Sequence, residues 1–303
     1  MTVSTLKLHP EGPAFSRLVF GAWRAAEWNL APADLLGLVE AGVDLGITTV
    51  DHADIYGDYT CEARFGEALA LKPALRERLQ LVSKCGIQLV SSRRPSHTRH
   101  IYDTSRAHLL ASVENSLRAL QTDYLDLLLI HRPDPLLDAD EVAEAFTALR
   151  QAGRVRHFGV SNFTPAQWEL LAARLPFPLV TNQVEVSVLR LTPFLDGTFD
   201  QAQRLRAAPM AWSPLGGGRL FTGQDARTER VRGALNEVGR ALGGAALDQV
   251  ALAWLLRAPA RIVPVLGTGQ RARLQSAAAA ETLPLTREQW FAIWTAAAGE
   301  DIP

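Results

Sequence analysis

The sequence predicts an α/β fold, a single-domain (β/α)8 TIM barrel spanning residues 1–303, and three observations carry that expectation. Eight short apolar runs recur along the chain, most are hydrophobic almost continuously instead of alternating, and amphipathic stretches of helical period lie between them. A doubly wound sheet is the alternative reading of the same alternation.

The runs cover residues 17–23, 48–53, 79–86, 124–133, 155–163, 179–187, 210–215 and 261–267. The fourth contains LDLLLIH and shows the logic. A parallel strand covered by helices on one side and barrel interior on the other has no solvent face toward which to alternate. Helices are expected over 32–45, 105–120, 140–151, 164–175 and 247–257. Gly46 and Gly153 stand where helix C-terminal caps belong, and Thr164-Pro165 reads as an N-cap followed by proline in the first turn. No composition break, charge run, Gly/Ser linker or repeat divides the chain, so one domain is the economical reading. The longest connection, residues 87–104, carries SSRRPSHTRH; it is long enough to fold over the barrel mouth as a lid, or to remain a surface loop.

Composition narrows the function classes. With 48% hydrophobic and 21% charged residues, the chain has the apolar content for a large core, which excludes disordered and fibrous classes. A formal net charge of -1 with scattered positive residues excludes nucleic acid as the main partner. No run approaches the roughly 20 apolar residues that span a bilayer, and residues 1–10 lack the basic start and apolar run of a signal peptide, so a cytoplasmic location and no membrane partner are expected. Cys61 and Cys85 have neither CxxC spacing nor a nearby histidine pair, which argues against a disulfide framework and a zinc site; His97 and His100 read as part of a polar loop, and no metal is expected. A monomer is the default expectation, since the outer helices of a barrel look alike whether solvated or paired.

In such a barrel the site forms at the C-terminal strand ends. There the chain places Asp51 (in TTVDHADIYG), Tyr56 in the loop that follows, Lys84 at the end of the third run and His131 at the end of the fourth. Each alone has an ordinary structural use: Asp51 as a helix cap, Lys84 as a solvated strand end, Tyr56 as a packing residue, His131 as a satisfied buried histidine. Together, at the same end of three consecutive strands, they make chemical sense. An Asp51–Lys84 pair explains a lysine on an apolar strand. A tyrosine of ordinary pKa about 10 gives up its proton more readily beside an ammonium. His131 would orient a substrate carbonyl and help stabilise a developing alkoxide.

The second half of the chain offers a place for a reductant. Ser161, Asn162 and Gln183 can hydrogen-bond a carboxamide, and Trp212, followed by Ser213 and Leu215, offers a flat apolar face. Gly216, Gly217 and Gly218 let the backbone approach a pyrophosphate. The run Gly267-Thr268-Gly269 is not a Rossmann fingerprint, lacking a third glycine and a later acidic residue, but Arg271 and Arg273 at a helix start point to an anion such as a 2′-phosphate.

With these residues in place, the chain resembles the aldo-keto reductase superfamily over essentially its whole length, and within it the bacterial YdhF-like oxidoreductases. The segments that carry the resemblance are DHADIYGDYTCEARFGEAL, VSKCG, YLDLLLIHRPDPL, RVRHFGVSNFTPAQ, TNQVEVS and AWSPLGGGRLF, in the family order. The resemblance implies a catalytic tetrad of Asp51, Tyr56, Lys84 and His131. It implies a nicotinamide amide held by Ser161, Asn162 and Gln183, and ring stacking on Trp212. The NADPH 2′-phosphate would meet Thr268 and Arg273, with NADH the less favoured donor. Hydride would pass to an aldehyde or ketone as Tyr56 protonates the oxygen, without metal.

The chain departs from the family at Gly267, where many members carry lysine, at Arg132, where many carry an aromatic residue, and at Ala277, where many place an adenine-contacting asparagine. Trp23, Trp28, Phe221 and the loop from Arg93 to His100 are candidates for the substrate wall, which favours aryl or medium-chain carbonyl compounds. Two other readings compete. Potassium-channel β subunits resemble this family and act chiefly as NADPH-binding regulatory partners, and a barrel lyase or aldolase would use Lys84 as a Schiff-base nucleophile. The complete tetrad weighs against the first; the second leaves Tyr56 and Trp212 without a role.

Overall fold

The computed structural model describes residues 2–301. Its first element is an antiparallel hairpin, β1 (Thr5–Lys7) and β2 (Ala14–Ser16). Then come β3 (Val19–Gly21), β4 (Thr49–Asp51), β5 (Gln80–Cys85), β6 (Ile87–Gln88), β7 (Ile101–Tyr102), β8 (Leu125–Ile130), β9 (Val155–Ser161), β10 (Leu179–Glu185), β11 (Met210–Trp212) and β12 (Val263–Leu266). Among the described residues, eight of these close into a barrel in the order β10-β11-β12-β3-β4-β5-β8-β9. Every pairing in it is parallel, and each of the eight apolar runs contains one barrel strand. The fold is therefore the (β/α)8 barrel that the alternation predicts.

The helices are α1 (Pro32–Asp44), α2 (Tyr56–Tyr59), α3 (Cys61–Ala70), α4 (Arg106–Leu120), α5 (Ala139–Gln151), α6 (Pro165–Ala172), α7 (Thr198–Leu205), α8 (Arg219–Thr222), α9 (Ala226–Ala241), α10 (Leu247–Leu256), α11 (Arg271–Ala279) and α12 (Arg287–Ala298). Their ends follow from local chemistry. Thr164 caps α6 through a reciprocal box with Gln167, and Asp138 caps α5 by accepting from the amides of Asp140 and Glu141. Gly46 and Gly153, just past α1 and α5, take φ of 83° and 69°, the left-handed conformation that a C-terminal stop requires.

All six residues of β8 are buried, because its two faces meet two different cores. Leu127 and Leu129 point into the barrel with Val82, Met210 and Val263, while Leu128 and Ile130 join the layer between strands and helices. The hairpin of β1 and β2 lies outside the runs that the sequence marks. It sends Leu8 and Phe15 into the barrel's N-terminal end, and the Leu8 carbonyl accepts from the Ala208 amide at 2.6 Å just before β11. Between α10 and α12, Trp254 and Trp290 stack with ring centroids 4.7 Å apart, and each indole donates to the other's carbonyl at 3.0 Å.

Two features set the mouth of the barrel. The connection after β5 is a hairpin, β6 paired with β7, and Ile87, Leu89, His100 and Tyr102 face the central cavity, so it folds over the mouth. Gly216, Gly217 and Gly218 follow β11 with φ of 63°, 64° and 98°, a tight turn open to glycine alone without strain. No helix among the described residues is long and apolar enough to cross a membrane, and both cysteines are free and buried.

Candidate active site

Asp51 is the last residue of β4, Lys84 lies within β5, His131 directly follows β8, and Tyr56 begins α2. The parallel register carries them to one end of the barrel, where Asp51, Tyr56 and His131 line a cavity of about 970 Å³. Lys84 is 1% exposed and sits behind that wall. Its ammonium donates to Asp51 Oδ2 at 2.7 Å, the His52 carbonyl at 2.7 Å and Tyr56 Oη at 2.9 Å. All three ammonium protons thus have acceptors, which is the condition for holding this charge away from water.

Asp51 in turn is held by two donors, Lys84 on Oδ2 and Gln183 Nε2 on Oδ1 at 2.8 Å, the latter reaching across from β10. Burial alone would lower the Lys84 pKa, but the Asp51 charge and then Tyr56 raise it above the ordinary lysine value. For Tyr56 the balance corrects the sequence expectation: desolvation outweighs the pull of Lys84, and the phenol pKa is raised, not lowered. The phenol therefore keeps its proton at neutral pH, with the Lys84 ammonium 2.9 Å from its oxygen. His131 packs edge-on to Tyr56, ring centroids 5.7 Å apart. Burial, then Lys84 and Arg132, hold it well below the usual histidine range, so it is a neutral imidazole with an unpartnered Nδ1.

The second half of the barrel supplies polar groups that are hydrogen-bonded to one another. Ser161 ends β9 and donates to the Gln183 carbonyl at 2.8 Å; Asn162, at φ 59°, donates to Ser161 Oγ at 2.8 Å and accepts from Trp212 Nε1 at 2.9 Å. Ser213, Leu215 and Gly217 continue the cavity wall past β11; Gly267, Thr268 and Arg273 line it after β12. Arg273 faces this cavity, whereas Arg271 turns away and lays its guanidinium against Gly37 of α1. A Cβ built on Gly218 or Gly267 meets nothing within 4 Å, which leaves backbone open beside the wall. A dinucleotide fits this surface in its chemistry: amide and hydroxyl groups near Tyr56, a glycine turn in the middle, a hydroxyl and a guanidinium at the end.

Of the substrate-wall candidates, Trp23, Phe221 and His100 line the cavity, but Trp28 does not: it packs edge-on against Phe20 at 5.7 Å beneath Gly269. Arg132 lies over the Trp212 ring, 5.4 Å from its centroid. Beneath Lys84 lies a polar cluster that the sequence reading does not single out. Glu62 of α3 accepts from Ser83 at 2.5 Å, and burial pushes its carboxyl up to about 7; Asp54 is pushed well above the ordinary range by burial, then by Glu62. An acidic pair eight residues apart on either side of a turn carries no sequence signal of burial.

Comparison with known proteins agrees with this geometry. The family model "Aldo/keto reductase family" matches residues 17–297. Oxidoreductase YdhF of Escherichia coli (strain K12) is 54% identical over 301 residues, covering 99% of this chain and 100% of that protein. The 6-dehydroglucose reductase of Agrobacterium fabrum (strain C58 / ATCC 33970) is 46% identical over 288 residues, covering 95% of this chain and 96% of that one. An aldo/keto reductase of Klebsiella pneumoniae, solved in complex with NADP and acetate, superposes with a TM-score of 0.77 at 27% identity over 96% of this chain and 94% of its own. An NAD(P)H-dependent oxidoreductase acting on carbonyl compounds accounts for both the site and these likenesses, and the chain belongs to the aldo/keto reductase family.

Proposed function

We propose that the protein reduces an aldehyde or ketone to the alcohol with NADPH, and that Tyr56 is the general acid. The observation that carries the reading is the Lys84 ammonium held between Asp51 and Tyr56 Oη. When bound, the cofactor supplies hydride to the carbonyl carbon. The protein's own part is the proton. Lys84 donates to Tyr56 Oη, so the phenol's hydrogen is free to point into the cavity toward a substrate oxygen. As the proton leaves, the tyrosinate gains an ion pair already in place, with no reorganisation. Neutral His131 offers an N–H to the same oxygen and fixes its direction.

Ser161, Asn162 and Gln183 would hold the carboxamide, Trp212 would bear the ring, and Ser213, Leu215 and Gly217 would line the diphosphate. Thr268 and Arg273 would meet the 2′-phosphate, with Gly267 withholding the extra cation, so NADPH is preferred over NADH by one guanidinium. The substrate wall mixes the exposed face of Trp23 with Arg24, His100 and Arg132. Together with a relative named 6-dehydroglucose reductase, that mixture favours a small hydroxylated aldehyde over a purely aryl or aliphatic one.

The test is NADPH oxidation against a panel of hydroxylated, aryl and aliphatic aldehydes, with NADH as second donor. Tyr56→Phe should lower kcat by about 10³-fold and leave NADPH binding intact. A variant that keeps wild-type turnover removes Tyr56 from the reaction.

A further inference from the structure

The backbone after Tyr56 is unusual. Gly57, Asp58 and Tyr59 take φ of 57°, 54° and 63°, three successive left-handed residues of which two carry side chains that disfavour it. Such a conformation persists where surrounding contacts over-determine it. Internally, Thr60 Oγ1 donates to the Gly57 carbonyl at 2.5 Å and the Thr60 amide to the Tyr56 carbonyl at 3.1 Å. The Tyr59 amide donates to the Ile55 carbonyl at 3.4 Å, and Gly57 sits against Ala26 and Cys61; the side chains of Asp58 and Tyr59 reach one element, the hairpin connection of residues 87–102.

Tyr59 Oη accepts from the Leu89 amide at 2.8 Å and lies 3.3 Å from His97 Nδ1. The Arg94 guanidinium covers the Tyr59 ring at 4.9 Å, and Arg93 approaches the Asp58 carboxylate at 4.0 Å. Each partner lies between the two hairpin strands, while Ile87, Leu89, His100 and Tyr102 of the same segment form one wall of the cavity. Otherwise the hairpin is held by two β6–β7 residue pairs, the buried Ile87, a Gln88 Nε2 to Asp103 Oδ2 hydrogen bond at 2.6 Å and a ring contact of His97 with His108 of α4, while Val90, Ile101 and Tyr102 are exposed. A two-stranded ribbon of this length is marginal by itself.

We propose that Tyr59 is a positioning residue that ties the hairpin to the general-acid turn and so sets substrate fit. The left-handed turn swings the Tyr59 phenol away from the catalytic ammonium and toward Leu89, so one short segment places two tyrosines in opposite directions. Tyr56 reaches into the cavity and Tyr59 holds the wall that faces it. A substrate that contacts Leu89 or Tyr102 then binds to a wall already closed, and loosening the tie lowers the fraction of molecules ready to bind.

This inference rests on the reductase reading, and its test separates the two. Amide exchange reads the tie directly: in Tyr59→Phe the Leu89 amide should exchange about five-fold faster, the factor expected for loss of one neutral hydrogen bond. With glyceraldehyde as probe, KM should rise by a similar factor while kcat stays within about two-fold and NADPH affinity is unchanged. His97→Ala, on the hairpin itself, should raise KM less and add nothing in the Tyr59→Phe background. Wild-type exchange at Leu89 in Tyr59→Phe overturns the proposal, as does a fall in kcat and NADPH affinity with no change in KM. A wild-type protein that reduces no aldehyde defeats the reductase reading, while Leu89 exchange still decides the tie.

Discussion

The two ends of the barrel are made by the same strands and held by different physics. At the N-terminal end, Leu8 and Phe15 of the β1–β2 hairpin meet Val82, Leu127 and Val263, all buried, and the buried polar side chains beside them, Ser16, Thr49 and Thr181, are uncharged. At the C-terminal end, β4 and β5 deliver Asp51 and Lys84, a buried ion pair 2.7 Å apart, and each charge has further partners in His52, Tyr56 and Gln183. Apolar burial is non-directional and tolerates exchange of similar volumes, whereas a buried charge tolerates no missing partner. The lower end is therefore free to serve stability alone, and at the upper end stability and the proposed chemistry rest on the same hydrogen bonds.

Substitutions break this contrast in graded steps. Lys84→Met should cost about 3–5 kcal/mol of stability, because it strands a buried carboxylate, and abolish measurable turnover; thermal unfolding and aldehyde kinetics check both. Full activity in that variant would detach the ammonium from the chemistry. Phe15→Ala should cost about 3–5 kcal/mol through the cavity it leaves, with kcat/KM of the folded protein as in wild type. A drop in kcat/KM there would show that the two ends communicate.

Glu62→Gln sharpens the comparison through pH. The Glu62 carboxyl is raised from 4.5 to about 7 in the fold, so the folded protein keeps a proton that the unfolded chain releases above 4.5. Stability from this group is complete below 4.5 and falls as pH rises through the folded value, by up to ~3 kcal/mol. Glutamine has no such proton. Denaturant midpoints at about pH 5 and about pH 8 should converge for the variant relative to wild type, and an unchanged difference would mean that Glu62 is ionised in the fold.

The barrel was legible because parallel strands buried on both faces leave continuous apolar runs, and each run contains a strand. The β1–β2 hairpin was not, since three-residue strands outside the longer runs carry no period to detect. Helix α9 is not among the helices expected from the sequence although Val231, Leu235 and Val238 recur at helical spacing, because charged residues interrupt the apolar pattern of ARTERVRGALNEVGRA. At the site, strand ends point to Asp51, Lys84 and His131, which the structure brings to one end of the barrel. The sign of the Tyr56 shift depends on how deeply the phenol is desolvated, a tertiary quantity. Arg271 and Arg273 look equivalent in sequence; two positions along a helix are about 200° apart, which sends one to the cavity and the other over α1.

Closure of the barrel also has a schedule. Its seam joins β12 to β3, Val265 to Val19 and Leu266 to Phe20, nearly the full chain apart. At about 5–20 residues per second of synthesis, β3 waits on the order of tens of seconds for its neighbour. Until then one edge of the growing sheet is open and Val19 has no barrel around it. The β1–β2 hairpin emerges before every barrel strand, and Arg17 beside it donates to carbonyls of Arg261 and Ile262 at the start of β12. The segment that plugs the finished barrel thus also marks where its last strand must land.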